Sequence, residues 1–227
     1  MLGRLCCDNR RLPCAIRAEW QFRLTLRYDS GMDVPALSDA VPGGGCPWSE
    51  LDSEGKRERL LAAAGELFAR EGIEAPMPAV AAAAGAGVGS VYRQFPSKED
   101  LLAALVVRRL ESVVRDVETA LARQGEAWPV LVELMWTLAD RQAADDVVAE
   151  AMATVSEHSQ VAERAMHCEL RLEELLSRAR GEGALRTDAS AADVRLLLAA
   201  VRATRRREPQ SWPRMLELGL AGLVAQR

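Results

Sequence analysis

The chain has 227 residues, 49% of them hydrophobic and 27% charged, with a formal net charge of -4. That length allows one large domain or two small ones, and the composition excludes a disordered or fibrous chain. No apolar run reaches the ~18–20 residues needed to span a bilayer, and the mild acidity confines any nucleic-acid binding to a local patch.

The cysteines are Cys6, Cys7, Cys14, Cys46 and Cys168. An odd number, four of them ahead of the helical part, argues against a disulfide framework, and they lack the Cys-x-x-Cys spacing of a zinc site. There is no apolar export segment. The protein is expected to be cytoplasmic with reduced thiols.

Residues 1–52 carry Pro13, Pro35, Pro42 and the run Gly43-Gly44-Gly45 without a sustained helical period. They are expected to form a flexible extension. Phe22–Tyr28 alternates like a strand, but no partner strand follows it.

From Ser53 the pattern is helix after helix. Leu60, Leu61, Ala64, Leu67 and Phe68 form one apolar stripe, closed by Gly72 with Ile73 folding back. Pro76 and Pro78 open a short second helix, where prolines cost no hydrogen bond; Met77, Val80, Ala81 and Ala84 share its inner face and Gly85 ends it. A third helix is predicted over Val88–Phe95, with Val91 and Phe95 inward at i and i+4. Pro96 stops it. Ser97 then caps a long helix, with Asp100 three residues on, that keeps its apolar spacing to Leu121. Further helices are predicted over Trp128–Ala143, Asp146–Val155, Gln160–Arg180, Asp193–Thr204 and Trp212–Val224. The expected fold is all-α: a three-helix helix-turn-helix domain over 53–100, then a helical bundle over 101–227.

Two short helices joined through Gly85-Ala86-Gly87 behind a supporting helix have the outline of a helix-turn-helix. Such a core leaves one face of its last helix free to enter a major groove about 12 Å wide. Here that face offers Val88, Ser90, Tyr92, Arg93 and Gln94.

The string Ala81-x-x-Ala84-Gly85-x-x-x-Gly89-Ser90-Val91-Tyr92-Arg93-Gln94-Phe95-Pro96-Ser97-Lys98-Glu99-Asp100-Leu101-Leu102 closely resembles the DNA-binding signature of the TetR family of transcriptional regulators. The likeness covers Lys56 to Leu105. It implies that Ser90 meets a phosphate or a base edge, that Tyr92 packs on the DNA backbone, and that Lys98 pairs with a phosphate at a helix N-terminus. Gly89 would allow close backbone approach, with Gly87 as the cap of the recognition helix; Val88 and Arg93 would read bases. Phosphate contacts position the protein, and base contacts specify. Two departures stand out: Pro76 replaces a frequent threonine donor, and Gly87 replaces a Ser or Thr cap. With acids and bases nearly balanced over residues 54–100, modest affinity and a salt slope of a few phosphates per subunit are expected.

The resemblance also implies a ligand-binding and dimerisation domain in the second part. Leu196, Leu197, Leu198 and Val201, then Met215, Leu216, Leu218, Leu220, Leu223 and Val224, are apolar over more than one face. A homodimer through the last two helices would bury the surplus and read a palindromic operator. Trp128, Met135, Trp136, Met152, Met166, His167 and Cys168 are candidates to line a chamber for a small-molecule effector. The expected protein is a repressor released from double-stranded DNA by that effector, with no cofactor, metal, catalytic or membrane role. Two rival readings compete with this one. A helical adaptor that has lost DNA binding is motivated by Pro76 and Gly87. An all-α diphosphate enzyme is motivated by Asp145-Asp146 with Glu150, but no second acidic cluster supports it. Glu173-Glu174 is read as a solvated face.

Overall fold

The computed structural model describes residues 47–141 and 146–225. The predicted extension up to residue 46, its Phe22–Tyr28 stretch, four of the cysteines and Asp145 lie outside the described residues. Among the described residues the structure is all-α, with nine α-helices after a 3-10 turn at Trp48–Glu50; a lone antiparallel bridge joins Leu185 and Val224.

Helix α1 (Ser53–Glu71) starts where the Asp52 carboxylate accepts from the Gly55 amide at 2.7 Å. Its predicted stripe, Leu60, Leu61, Ala64, Leu67 and Phe68, is buried throughout. Gly72 ends it at φ 82°, and Ile73 folds back into the core. Helix α2 (Met77–Ala84) has Pro76 as its cap residue and Pro78 in its first turn. It closes in a Schellman motif: the Ala86 amide donates to Ala81 O at 2.9 Å and the Gly85 amide to Ala82 O at 3.1 Å. Gly85 has φ 66°, and a Cβ there would lie 3.4 Å from the Arg59 guanidinium. The left-handed conformation therefore favours glycine at this turn.

Helix α3 (Val88–Gln94) is capped at its end by the Phe95 amide, which donates to Val91 O at 2.8 Å. Helix α4 (Lys98–Leu121) opens on a full capping box: the Asp100 amide donates to Ser97 Oγ at 3.1 Å and the Ser97 amide to Asp100 Oδ2 at 3.0 Å. Then follow α5 (Ala127–Arg141), α6 (Asp146–Val155), α7 (Ser159–Gly181), α8 (Ala191–Arg207) and α9 (Trp212–Leu223). Ser190 and Asp193 cap α8 in the same reciprocal way, so that helix begins two residues before the predicted Asp193.

One core cluster joins α1, α2 and α3 to Leu101–Val106 of α4, and it continues into Ala151 and Val155 of α6 and Val161 of α7. The first turns of α4 thus belong to the three-helix core, and α4 also packs along α6 and α7. Helix α5 packs on α7, α8 and α9, burying Leu131, Met135, Leu175, Val201, Leu216 and Leu220. Helices α8 and α9 touch at Gly219, where a Cβ would stand 2.1 Å from Leu197 Cδ1. The reading of Glu173 as solvated is corrected. It pairs with Arg180 and accepts from the Ala191 amide at 3.0 Å, fixing the start of α8. That start is a natural carboxylate site, since its first amides have no partner within the helix.

The two capping boxes make acid stability predictable. Hydrogen bonds from Ser97 outweigh partial burial, and His158 at 3.5 Å adds to them, so the Asp100 carboxyl sits below its usual range; bonds from Ser190 do the same for Asp193. A carboxyl depressed in the folded state stabilises above its unfolded pKa, and that contribution is lost as pH falls through the lowered native value. Thermal unfolding followed by circular dichroism should therefore show the melting temperature dropping below about pH 4. Ser97→Ala and Ser190→Ala should each cost about 1 kcal/mol at neutral pH and flatten that acid limb.

Candidate nucleic-acid interface

Helix α3 stands on the core through Val91 and Phe95, 0% and 1% exposed. The same helical spacing turns Val88 and Tyr92 outward, 43% and 46% exposed, and Arg93 is exposed beside them. Arg93 Nη2 donates to Ser90 Oγ at 2.8 Å, so two of the predicted contact residues hold each other. Gln94 leaves the outer face: its Nε2 donates to Ser53 Oγ at 3.3 Å and ties the end of α3 to the start of α1. A Cβ at Gly87 or Gly89 would meet nothing within 4 Å, so the backbone there is open to close approach. Neither α2 nor α3 has a side-chain hydrogen bond at its cap, where Pro76 and Gly87 stand.

Lys98, in the first turn of α4, holds its Nζ 3.5 Å from Glu74 Oε2, whose side chain is 94% exposed. Such a surface pair is worth little, and a stronger anion displaces it readily. The Arg57 guanidinium lies 4.5 Å from the centroid of the Phe95 ring. Sequence reasoning counted Arg57 only in the charge balance, because no spacing rule links a residue near the start of α1 to one just past the end of α3.

The seven residues predicted to line a ligand chamber are spread over α5, α6 and α7. Trp128 and Met135 are core residues of α5. Trp136 meets Trp212 edge-on with ring centroids 5.6 Å apart. Met152 packs against the α1–α4 cluster. On α7 the inward stripe is Val161, Leu172, Leu175, Leu176 and Ala179, which turns Met166 and His167 to solvent. Cys168 is half-buried, and burial, helped by Glu169, pushes its thiol pKa up. A half-open cleft of about 400 Å³ lies where α1, α4 and α6 meet, with Arg108, Arg109, Ser112 and Arg115 among its lining.

Among the described residues no three His, Cys, Asp or Glu side chains gather as a metal group would. Asp146, half of the acidic pair, holds Arg206 at 2.9 Å. No described helix is long and apolar enough to cross a membrane.

A short helix held from behind by two apolar anchors, with a polar face outward and a long helix running from it into a larger helical body, defines the class of helix-turn-helix regulators. The family pattern described as "Bacterial regulatory proteins, tetR family" matches residues 60–105, and "Transcriptional regulator SbtR-like, C-terminal domain" matches residues 126–225. With those two matches spanning most of the chain, it belongs to the TetR family and is a ligand-responsive DNA-binding transcriptional regulator.

The chain is 31% identical over 141 residues to the HTH-type transcriptional repressor KstR of Mycolicibacterium smegmatis, covering 60% of this chain and 69% of that one. The TetR regulator SCO0520 of Streptomyces coelicolor is 27% identical with a TM-score of 0.56, covering 75% of this chain and 99% of its own. SmeT, repressor of the Stenotrophomonas maltophilia multidrug efflux pump SmeDEF, is 26% identical with a TM-score of 0.57, covering 75% and 91%.

Proposed function

We propose that the protein represses transcription as a homodimer on a palindromic operator and leaves it when a small molecule binds. KstR and SmeT, both described as repressors, support the sign of regulation. Helix α3 enters the major groove, with the open backbone of Gly87 and Gly89 against the duplex. Tyr92 and Ser90 contact the sugar–phosphate backbone, and Lys98 exchanges Glu74 for a phosphate. Arg93 releases Ser90 to reach a base edge, and Val88 meets a thymine methyl. The dimer forms through α8 and α9, where Leu196 and Leu218 are 70% and 54% exposed although both are apolar. A two-fold pair of α3 helices spans half-sites about 34–36 Å apart, or a multiple of that spacing.

The observation that carries this reading is α3 itself, anchored by Val91 and Phe95 with Val88, Tyr92 and Arg93 outward. Selection of bound sequences from random duplexes should yield a palindrome. Tyr92→Ala should weaken all sites alike, whereas Arg93→Ala should relax one position per half-site, worth about 1–3 kcal/mol. Lys98→Ala should lower the salt slope by about one per subunit. Selection that returns no common sequence, or Arg93→Ala that leaves the preferred sequence unchanged, would count against the assignment.

A further inference from the structure

The cavity where α1, α4 and α6 meet has a divided lining. Leu105, Val147 and Val148 give it an apolar side. Arg108, Ser112 and Arg115 fall at i, i+4 and i+7, so one face of α4 supplies its polar side, with Arg109 next to them. Three guanidinium groups and no carboxylate line the space. Arg108 also holds Glu58 of α1 at 3.4 Å, with both side chains roughly half-exposed. Gly65 supplies the third wall. It sits in the middle of α1, where glycine costs about 1 kcal/mol against alanine, and a Cβ there would meet nothing within 4 Å. The missing side chain is what leaves the space open on that side.

We infer that this cavity binds an amphipathic organic anion, a carboxylate or phosphate monoester with an apolar body, whose head lies on the α4 arginines and whose body lies against Leu105, Val147 and Val148. Its volume suits a small ligand, and the arginine stems add apolar cover while their heads supply paired donors to an oxyanion. The position gives the site a route to the DNA-binding helices. An anion on Arg108 competes with Glu58, and that ion pair ties α1 to α4. This last step rests on the regulator reading; binding itself does not.

The test uses the full chain and a series with one tail and different heads: octanoate, octyl phosphate, octan-1-ol and octylammonium. Calorimetry without DNA should show octanoate or octyl phosphate binding tighter than about 1 mM, and the alcohol and amine at least tenfold weaker. Gly65→Leu puts a side chain into the open space at a helix position that favours leucine, and it should abolish binding while leaving thermal stability equal or higher. Arg115→Ala, at an exposed position, should weaken the anions about tenfold and leave the alcohol unchanged. Equal binding of all four heads, undiminished binding to Gly65→Leu, or no binding of either anion overturns the site. A second arm measures operator affinity with octanoate present. Loss of operator binding in the wild type but not in Gly65→Leu supports the coupling, and calorimetric binding without any change at the operator refutes the coupling alone.

Discussion

Leu196→Glu and Leu218→Glu, made together, are expected to leave each subunit folded, to convert a dimer into monomers, and to cut operator affinity on the order of a thousandfold, toward non-specific binding. Within one subunit both side chains are mostly outside the core. Their neighbours Leu197, Val201, Leu216 and Leu220 make the α8–α9 and α5 contacts and are buried, while Leu196 and Leu218 stand outward at 70% and 54% exposure. Glutamate is a good helix former, so the monomer should keep its circular dichroism and melt close to the wild type. In a two-fold interface each substitution occurs twice, which places four carboxylates in an otherwise apolar contact. Sedimentation velocity reads the first effect, and binding to the selected operator reads the second. A double variant that stays dimeric on a full-strength operator would place the interface on another face.

The anchors of α3 were legible because they obey a short local rule: Val91 and Phe95, four apart, must face the same way, and Val88, Tyr92 and Arg93 must then face out. The Ser97–Asp100 box was legible for the same reason. The Ser190–Asp193 box obeys that rule as well, but the apolar spacing marks where the stripe of α8 starts, after the helix itself has begun. For the predicted chamber residues the limit is a different one. Met, Trp and His announce bulk and polarity but not direction, and the direction of α7 is set by Leu172, Leu175, Leu176 and Ala179, which claim its inward face and leave Met166 outside. The arginine-lined cavity was invisible for a third reason. Its members lie on three helices, α1, α4 and α6, far apart in the chain, and Gly65 takes part through a side chain it lacks. The contact of Arg57 with Phe95 and the grip of Glu173 on the start of α8 belong to the same class: long-range pairings that only the packed chain brings together.

Phe95→Ala should be the most damaging single substitution in the DNA-binding half, costing about 3–5 kcal/mol. The ring is 1% exposed within the cluster shared by α1–α4, so its removal leaves a void directly beneath α3. It also strips Arg57 of the ring face at 4.5 Å, a contact worth about 0.5–1 kcal/mol at such a site; Arg57→Ala alone should therefore cost no more than that. Because the cluster runs on into Ala151, Val155 and Val161, α1–α3 are not expected to melt by themselves. Scanning calorimetry should show one transition at a lower temperature, since helices that share a core with α6 and α7 cannot unfold without exposing apolar surface on both. Two separated transitions, with a C-terminal half that melts like the wild type, would mean that the shared cluster does not couple the two halves and that α3 is carried on an independent module.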